Sequence, residues 1–165
     1  SVGALVEIRV GGISPGLGEP FFGAVESRIA EALFAVPGVR GVEFGDGFRA
    51  AAMHGSEHND PIVTAEGRTA KNGSGGVNGG ITNGNELVVR VAMKPASSIA
   101  SAQATWNFAT GAMDTLSVPG RHDSCMALRA AVVLESSLAI VLADLELQAR
   151  ARDARADGRG PGSMP

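Results

Sequence analysis

The first stretch whose residue types could do chemistry is a lysine followed by two hydroxyl side chains in a loop stiffened by proline. It follows the apolar run 87–93 and consists of Lys94, Pro95, Ala96, Ser97 and Ser98. An ammonium and two hydroxyls can together bind a phosphate group. A lysine after a strand is also commonly a solvated surface residue, so both interpretations stay open. The loop lacks the glycine spacing of a nucleotide P-loop.

A second candidate precedes a long apolar stretch and reads Gly120, Arg121, His122, Asp123. A helix N-terminus with a guanidinium beside it favours anions, so a phosphate or carboxylate could bind there. The alternative is structural, because Asp123 or Ser124 would serve as a helix cap worth about 1 kcal/mol. Local sequence does not decide between the two.

Glycines are concentrated between residues 75 and 84, around Gly79. Such density lets backbone approach a bulky ligand, and it equally allows tight turns without one. No Gly-x-Gly-x-x-Gly follows a strand and opens a helix here, so a dinucleotide-binding fold is excluded.

Two histidines four residues apart, His54 and His58, lie near Glu57 and Asp60. Their segment has no helical period that would align the two rings, and ligand geometry is demanding, so we expect no metal site. Cys125 opens the last apolar stretch, where a small buried thiol is the ordinary interpretation.

Composition excludes several classes of protein. A formal charge of −3 and the absence of a basic stripe argue against nucleic-acid binding. The single cysteine excludes an internal disulfide and fits a reducing cytoplasm. No apolar run reaches 18 residues without charge and no signal peptide opens the sequence, so we expect a cytoplasmic chain without a membrane segment. A hydrophobic content of 44% suffices for a folded core.

The elements that must position these residues follow from hydrophobic periodicity. Alternation predicts a strand over 4–10, and a second strand contains Val42 and Phe44. An Asn83-Gly84-Asn85 turn predicts a hairpin between Ile81 and the run 87–93.

Two segments have helical spacing. Residues 20–35 carry one apolar stripe, and Pro37 and Gly38 end that helix; the stripe consists of Phe22, Val25, Ile29 and Leu33. Residues 124–150 carry another, with Ser136-Ser137 as a candidate break; its members are Leu134, Leu138, Val141, Leu142 and Leu145. The sequence therefore predicts an α+β fold: a strand–helix–strand unit, a β-hairpin and a long C-terminal helix.

The remaining segments have no period. The segment 53–76 is longer than an ordinary connection between two elements, so we expect a functional or mobile loop there. Residues 95–119 are also predicted to be irregular. The charged, glycine-rich segment 152–165 is predicted to be a disordered tail. Because Ser1 runs almost directly into a strand, we expect the chain to be cut from something longer.

Taken together, five segments resemble chorismate synthase in order and spacing, over residues 1 to about 147. They are Gly-Val-Glu-Phe-Gly-Asp-Gly-Phe (41–48), Gly-Ser-Glu-His-Asn-Asp (55–60), Gly-Gly-Val-Asn-Gly-Gly-Ile-Thr-Asn-Gly (75–84), Lys-Pro-Ala-Ser-Ser-Ile (94–99) and Gly-Arg-His-Asp-Ser-Cys (120–125). The resemblance implies the family's β-α-β sandwich, with residues 1–151 as the C-terminal half of its domain.

The resemblance also implies an activity. That family converts 5-enolpyruvylshikimate 3-phosphate to chorismate and phosphate in the shikimate pathway, which leads to aromatic amino acids, with reduced FMN required but not consumed. It is generally a homotetramer. Since its catalytic histidines and several substrate-binding arginines lie in an N-terminal half that has no counterpart here, we expect this chain to be inactive alone.

The family's site residues carry over one by one. Lys94, Pro95, Ala96, Ser97 and Ser98 match its flavin-phosphate loop, although Ala96 replaces a common threonine. Gly79 matches a flavin-contacting glycine, and Pro37 with Gly38 falls at another flavin contact. Arg121 matches an arginine near flavin and substrate. Asp123 matches an aspartate proposed to shuttle a proton at flavin N5, a role that suits a tunable carboxylate.

Two other functions remain open from sequence. One is a non-catalytic module that folds and assembles, with the resemblance reflecting ancestry only. The other is an independent phosphate-binding protein, supported by the Lys94 loop and Arg121 alone. Tight FMN binding would favour the enzyme, whereas a large exposed apolar face without ligand affinity would favour the module.

Overall fold

The structure, a computed structural model, describes residues 1–156. Within these residues, seven strands and three α-helices follow one another, with short 3-10 turns at Phe21–Gly23 and Gly47–Ala52. In order they are β1 (Ala4–Val10), α1 (Val25–Phe34), β2 (Val39–Phe44), α2 (Gly55–His58), β3 (Val77–Asn78), β4 (Ile81–Thr82), β5 (Leu87–Met93), β6 (Gln103–Asn107), β7 (Ala112–Leu116) and α3 (Ala127–Ala156).

The main sheet has the order β1-β5-β2, and both neighbours run antiparallel to the central strand. The strands β1 and β2 are therefore parallel to each other, with β5 inserted between them. The predicted strand–helix–strand unit, β1-α1-β2, is present, but its two strands are not neighbours because β5 lies between them. The predicted α+β class is confirmed.

Helices α1 and α3 cover one face of this sheet. Alternation along β5 points every second side chain at the helices, and the apolar stripe of each helix meets them. The fully buried members of this core include Val25, Ile29 and Leu33 of α1, Leu87, Val89 and Val91 of β5, and Leu134 and Leu138 of α3.

The first helix starts later than predicted. Phe22 belongs to the 3-10 turn and is 98% exposed, so its assignment to the buried stripe was wrong. Ala24 has extended backbone angles, and the Glu19 N–H donates to the Gly23 carbonyl, which closes a separate turn before the helix. Phe21 lies in the left-handed region at φ +64°.

The hairpin predicted between Ile81 and β5 was also wrong in its pairing. Ile81 pairs with Asn78 through the turn at Gly79 and Gly80, while β5 pairs with β1 and β2. The Asn83 N–H donates to the Gly76 carbonyl, so the Asn-Gly turn redirects the chain into the main sheet.

The two irregular segments contain more structure than predicted. Residues 95–119 include the antiparallel pair β6–β7. Residues 53–76 are anchored by Asp60, whose carboxylate accepts the Lys71 N–H at 3.0 Å and the Gly73 N–H at 2.7 Å.

The last helix is unbroken. The hydroxyls of Ser136 and Ser137 donate to the carbonyls of Val132 and Val133, at 2.7 and 2.8 Å, so the two serines bond within the helix instead of breaking it. Residues 152–156, predicted as the start of a disordered tail, are helical. The rest of that segment lies outside the described residues, and the division of the chain into domain and tail stays a prediction.

The solvent-side face of the sheet carries a row of three charges, one from each strand. Arg90 lies between Glu7 and Glu43 in the register. Its Nε donates to Glu43 Oε1 at 2.6 Å, and the Phe48 N–H donates to the second oxygen of the same carboxylate at 3.0 Å. These two hydrogen bonds, the one from Arg90 foremost, lower the pKa of Glu43.

Among residues 1–156, no helix is long and apolar enough to cross a membrane.

Candidate functional site

The Lys94–Ser98 loop starts directly where the central strand β5 ends. Lys94, Pro95, Ser97 and Ser98 are exposed, and Ala96 is half-buried. The backbone is held from two sides, because the Lys94 N–H donates to the Gly38 carbonyl at 2.9 Å and the Ser1 hydroxyl donates to the Ala96 carbonyl at 2.6 Å. The loop is therefore fixed to the sheet while its polar groups face solvent.

The turn at Pro37 and Gly38 lies against this loop, at the start of β2. Gly38 has φ +96°, and a Cβ atom there would come within 3.1 Å of Met126 Cε and 3.3 Å of Met93 Cε. The left-handed backbone of this turn therefore favours glycine, whereas the two methionine methyl groups could move by the few tenths of an ångström that a Cβ atom needs.

The segment around Arg121 is tied to the same end of the sheet. At one side the Val118 N–H donates to the Ile99 carbonyl at 3.3 Å, and at the other the Val2 N–H donates to the Ser124 carbonyl at 2.8 Å. Arg121 lies between these two anchors and is exposed. Lys94 and Arg121 therefore lie on neighbouring segments at one edge of the molecule.

Asp123 does not cap α3, which begins at Ala127 with its first turn bonded to the Met126 carbonyl. Its Oδ1 accepts a hydrogen bond from the Arg129 guanidinium, and this bond raises the pKa of Arg129. The neighbouring His122 contacts the Val118 carbonyl through Nε2 at 2.8 Å. Within residues 1–156, the second carboxylate oxygen of Asp123 accepts no hydrogen bond.

Gly79 is not at this edge. The Gly79–Gly80 turn packs at the start of α1, where the Val25 N–H donates to the Gly80 carbonyl at 3.0 Å. Gly38 follows the other end of α1, a helix of ten residues and hence about 15 Å long. Gly79 itself is exposed, with φ +59° and nothing within 4 Å of an added Cβ atom. Within this chain the structure gathers Pro37, Gly38, the Lys94 loop and Arg121, and leaves Gly79 apart.

The charges at this edge are suited to an anion. Within residues 1–156, neither Lys94 nor Arg121 forms an ion pair, whereas Arg9, Arg28, Arg49 and Arg90 all do. Two uncompensated cations, with serine hydroxyls beside one of them, can bind phosphate or carboxylate groups.

Two cavities lie elsewhere. A cavity of about 370 Å³ between β1 and α3 is mainly apolar and includes Val6, Ile8, Leu138 and Leu142. Another, of about 400 Å³, is lined by Arg9, Asp46, Lys71 and Arg90, among others. In the part of the chain that the structure describes, no group of three or more His, Cys, Asp or Glu side chains is placed to hold a metal ion.

Comparison with known proteins decides the lineage. The family model for chorismate synthase matches residues 1–147.

The chain belongs to the chorismate synthase family.

Two relatives illustrate the similarity. The chorismate synthase of Chitinophaga pinensis is 57% identical over 147 residues, which cover 89% of this chain and 44% of that protein. The chorismate synthase of Korarchaeum cryptofilum is 51% identical over 146 residues, covering 87% of this chain and 40% of that protein. A crystal structure of chorismate synthase matches with a TM-score of 0.69 at 35% identity, over 88% of this chain and 38% of that one. The predicted fold is confirmed, and the chain spans less than half the length of these relatives.

Sequence reasoning missed the residues that support the chorismate synthase motifs. The first three residues bridge the Lys94 loop and the Arg121 segment, and a Cβ atom on Gly3 would come within 2.8 Å of the Met93 carbonyl. The partner of Asp123, Arg129, could have been suspected as the cation that lies six residues along the sequence, near the start of the predicted helix. The bridging role of the N-terminal residues has no local sequence signal, because it depends on chain segments more than 90 residues apart.

Proposed function

We propose that this chain is the C-terminal part of a chorismate synthase, the enzyme that eliminates phosphate from 5-enolpyruvylshikimate 3-phosphate to give chorismate with reduced FMN as cofactor. The observation that carries the proposal is the common location of the Lys94 loop and the Arg121 segment. Two motifs of the family, separated by more than twenty residues, lie at the same end of the sheet. Each carries a cation, Lys94 or Arg121, that forms no ion pair within residues 1–156.

The residues present fit a flavin mononucleotide. Its phosphate requires a cation and hydrogen-bond donors, which Lys94, Ser97 and Ser98 offer on an exposed loop. Its ring system requires backbone without obstructing side chains, and Gly79 faces open space.

Each residue then has a defined task. Lys94 and the serine hydroxyls hold the phosphate of the cofactor, and Arg121 binds a carboxylate or phosphate of the substrate. When bound, reduced FMN would lend the substrate an electron as its phosphate leaves and would regain it when the ring hydrogen is lost. Arg129 orients the Asp123 carboxylate, whose free oxygen Oδ2 accepts and returns a proton at flavin N5.

We further propose that the isolated chain is inactive and belongs to a larger cytoplasmic homotetramer. The support is an apolar face on α3 directed away from the core. Its side chains are exposed by 81% at Leu128, 62% at Val132, 70% at Ile140 and 63% at Leu147. An exposed stripe of this length usually marks a surface that another part of the protein covers. The same stripe favours the second candidate, a non-catalytic assembly module.

An anaerobic assay tests the proposal. The 165-residue chain is incubated with substrate and reduced FMN, alone and together with the remaining portion of the Chitinophaga pinensis enzyme expressed separately. We expect chorismate only from the mixture, and loss of that chorismate with Arg121→Ala. Chorismate from the chain alone would overturn the proposed inactivity. A mixture that forms a stable complex yet neither binds FMN nor makes chorismate would establish the assembly module instead.

A further inference from the structure

Arg40 is the extra residue of a β-bulge in strand β2. Val39 pairs with Met93 and Gly41 pairs with Ala92, so β2 advances by two residues where β5 advances by one. A bulge redirects the side chain that it inserts, and bulges are common next to active sites. Arg40 is exposed, so the direction of its side chain is set by the bulge and not by burial.

The bulge places Arg40 on the solvent side of the sheet. Val39 is buried, and Val42 pairs with the fully buried Val91, so both valines point toward the helices. Only two residues, Arg40 and Gly41, lie between them, and both positions are therefore left for the solvent side. Gly41 has no side chain, so the guanidinium of Arg40 has free space beside it.

Lys94 lies on the same side of the neighbouring strand. The antiparallel ladder continues one step beyond β5, because the Lys94 N–H donates to the Gly38 carbonyl at 2.9 Å. Alternation from Arg90 through Ala92 brings Lys94 to the solvent side. Diagonal neighbours on adjacent strands lie roughly 7–8 Å apart, a separation that long side chains bridge. The charged groups of Arg40 and Lys94 can therefore reach one anion.

No acidic side chain neutralises these two cations within residues 1–156, where neither Arg40 nor Lys94 forms an ion pair. Glu43 follows on the same strand and the same face, but both of its oxygens are occupied, one by Arg90 Nε at 2.6 Å and one by the Phe48 N–H at 3.0 Å. Like charges on neighbouring strands are unfavourable. The pair therefore favours an anion between its members.

We propose that Arg40 is a second cation of the cofactor site and binds the phosphate of FMN together with Lys94. A phosphate monoester carries about 1.5 to 2 negative charges at pH 7, and Lys94 supplies one positive charge. The planar guanidinium adds the second charge and two parallel hydrogen bonds, which an ammonium does not offer. The identity of the anion rests on the proposed function, whereas the pairing of the two cations does not.

Riboflavin, which lacks the phosphate of FMN, isolates this contact. The 165-residue chain is titrated with FMN and with riboflavin, and flavin fluorescence measures both dissociation constants. We expect Arg40→Gln to raise the dissociation constant for FMN by about tenfold or more and to leave that for riboflavin within about twofold. Arg40→Lys keeps the charge and loses the parallel hydrogen bonds, so its loss of FMN affinity should be smaller.

Arg68 provides the matched control. It is an exposed arginine of the segment 53–76 and likewise forms no ion pair within residues 1–156. Arg68→Gln should leave the dissociation constants for both flavins unchanged, and circular dichroism verifies that each variant keeps its fold.

A double variant tests whether the two cations share one phosphate. If they do, Arg40→Gln combined with Lys94→Ala should weaken FMN binding by less than the product of the two single losses, because residues on a common partner are coupled. Fully independent losses would place the two cations on separate ligands and reject the proposal.

Inorganic phosphate, followed by phosphorus NMR, separates the cation pair from the cofactor. Phosphate binding that Arg40→Gln weakens, in a chain that binds no FMN, would support the pair and count against the proposed function. An FMN affinity that Lys94→Ala lowers and Arg40→Gln does not would reject the role of Arg40 and leave the proposed function intact. Equal losses for FMN and riboflavin would show that Arg40 acts elsewhere than on the phosphate. A chain that binds neither FMN nor inorganic phosphate would overturn the inference.

Discussion

The Lys94 N–H donates a hydrogen bond to the Gly38 carbonyl over 2.9 Å. This bond joins the end of the central strand to the turn after α1. Two motifs more than fifty residues apart therefore lie at the same end of the sheet. It fixes the backbone of Lys94 and leaves the ammonium exposed. The backbone of the loop therefore needs no further ordering when the ammonium binds an anion, and only the lysine side chain has to be immobilised.

Replacing Lys94 with alanine should raise the dissociation constant for FMN by more than about tenfold, because a charge-assisted contact to phosphate is lost. The chain offers one matched control, Lys71, whose ammonium contacts the Glu57 carbonyl in another part of the molecule. Lys71→Ala should leave the affinity unchanged. Equilibrium titration with FMN, with inorganic phosphate as competitor, measures both, and equal affinities for the two variants would reject the loop as a phosphate site.

Gly79→Ala should separate ligand contact from backbone strain. Gly79 and Gly16 both have positive φ, +59° and +91°, and an added Cβ atom meets nothing within 4 Å at either position. Each alanine should therefore cost about 1–2 kcal/mol of unfolding free energy through the left-handed backbone alone. If Gly79 approaches the flavin ring, only Gly79→Ala should also weaken FMN binding; a matching loss in Gly16→Ala would attribute the effect to stability.

Leu134→Ala should destabilise the fold by about 2–5 kcal/mol, because it opens a cavity where α3 meets the core. Leu134 is fully buried, and Leu128 on the same helix is 81% exposed. Leu128→Ala should change the unfolding free energy by less than about 0.5 kcal/mol. Urea unfolding of the two variants measures the difference, and a large loss in Leu128→Ala would mean that the outer stripe is already covered.

Glu43→Gln should make stability less dependent on pH. Arg90, followed by the Phe48 N–H, holds the pKa of the Glu43 carboxyl below its ordinary value of 4.5. A lowered folded-state pKa contributes stability that is fully present above about pH 4.5 and is lost as the pH falls through the folded-state pKa. The free energy of unfolding of the wild-type chain should therefore exceed that of Glu43→Gln by about 1–3 kcal/mol near neutral pH. This difference should shrink in acid. Urea unfolding across this pH range checks the trend, and a difference that grows in acid would contradict it.

Much of the fold follows from local patterns. Strand β1 matches its predicted bounds, and the buried positions of α3 coincide with the predicted apolar stripe at Leu134, Leu138, Val141 and Leu145. The five motifs led to the correct family, because five unusual segments in one order and spacing are far more specific than any one of them. Local patterns failed at Phe22, where a 3-10 turn displaced the helix start, and at Ile81, where Asn78 replaced β5 as the pairing partner.

The sequence by itself determined the strands β1 and β5, the apolar stripe of α3 and the family of the chain, since these depend on residue types a few positions apart. It did not determine the hairpin β6–β7 or the start of α1. Only the tertiary structure decided that β5 lies between β1 and β2, that the Lys94 loop and Arg121 lie at the same end of the sheet while Gly79 does not, and that the hairpin β6–β7 is exposed. The physical reason is that strand order and loop contacts arise from burying apolar faces together across long separations in the chain. No local pattern of residues encodes which distant segment will supply the partner.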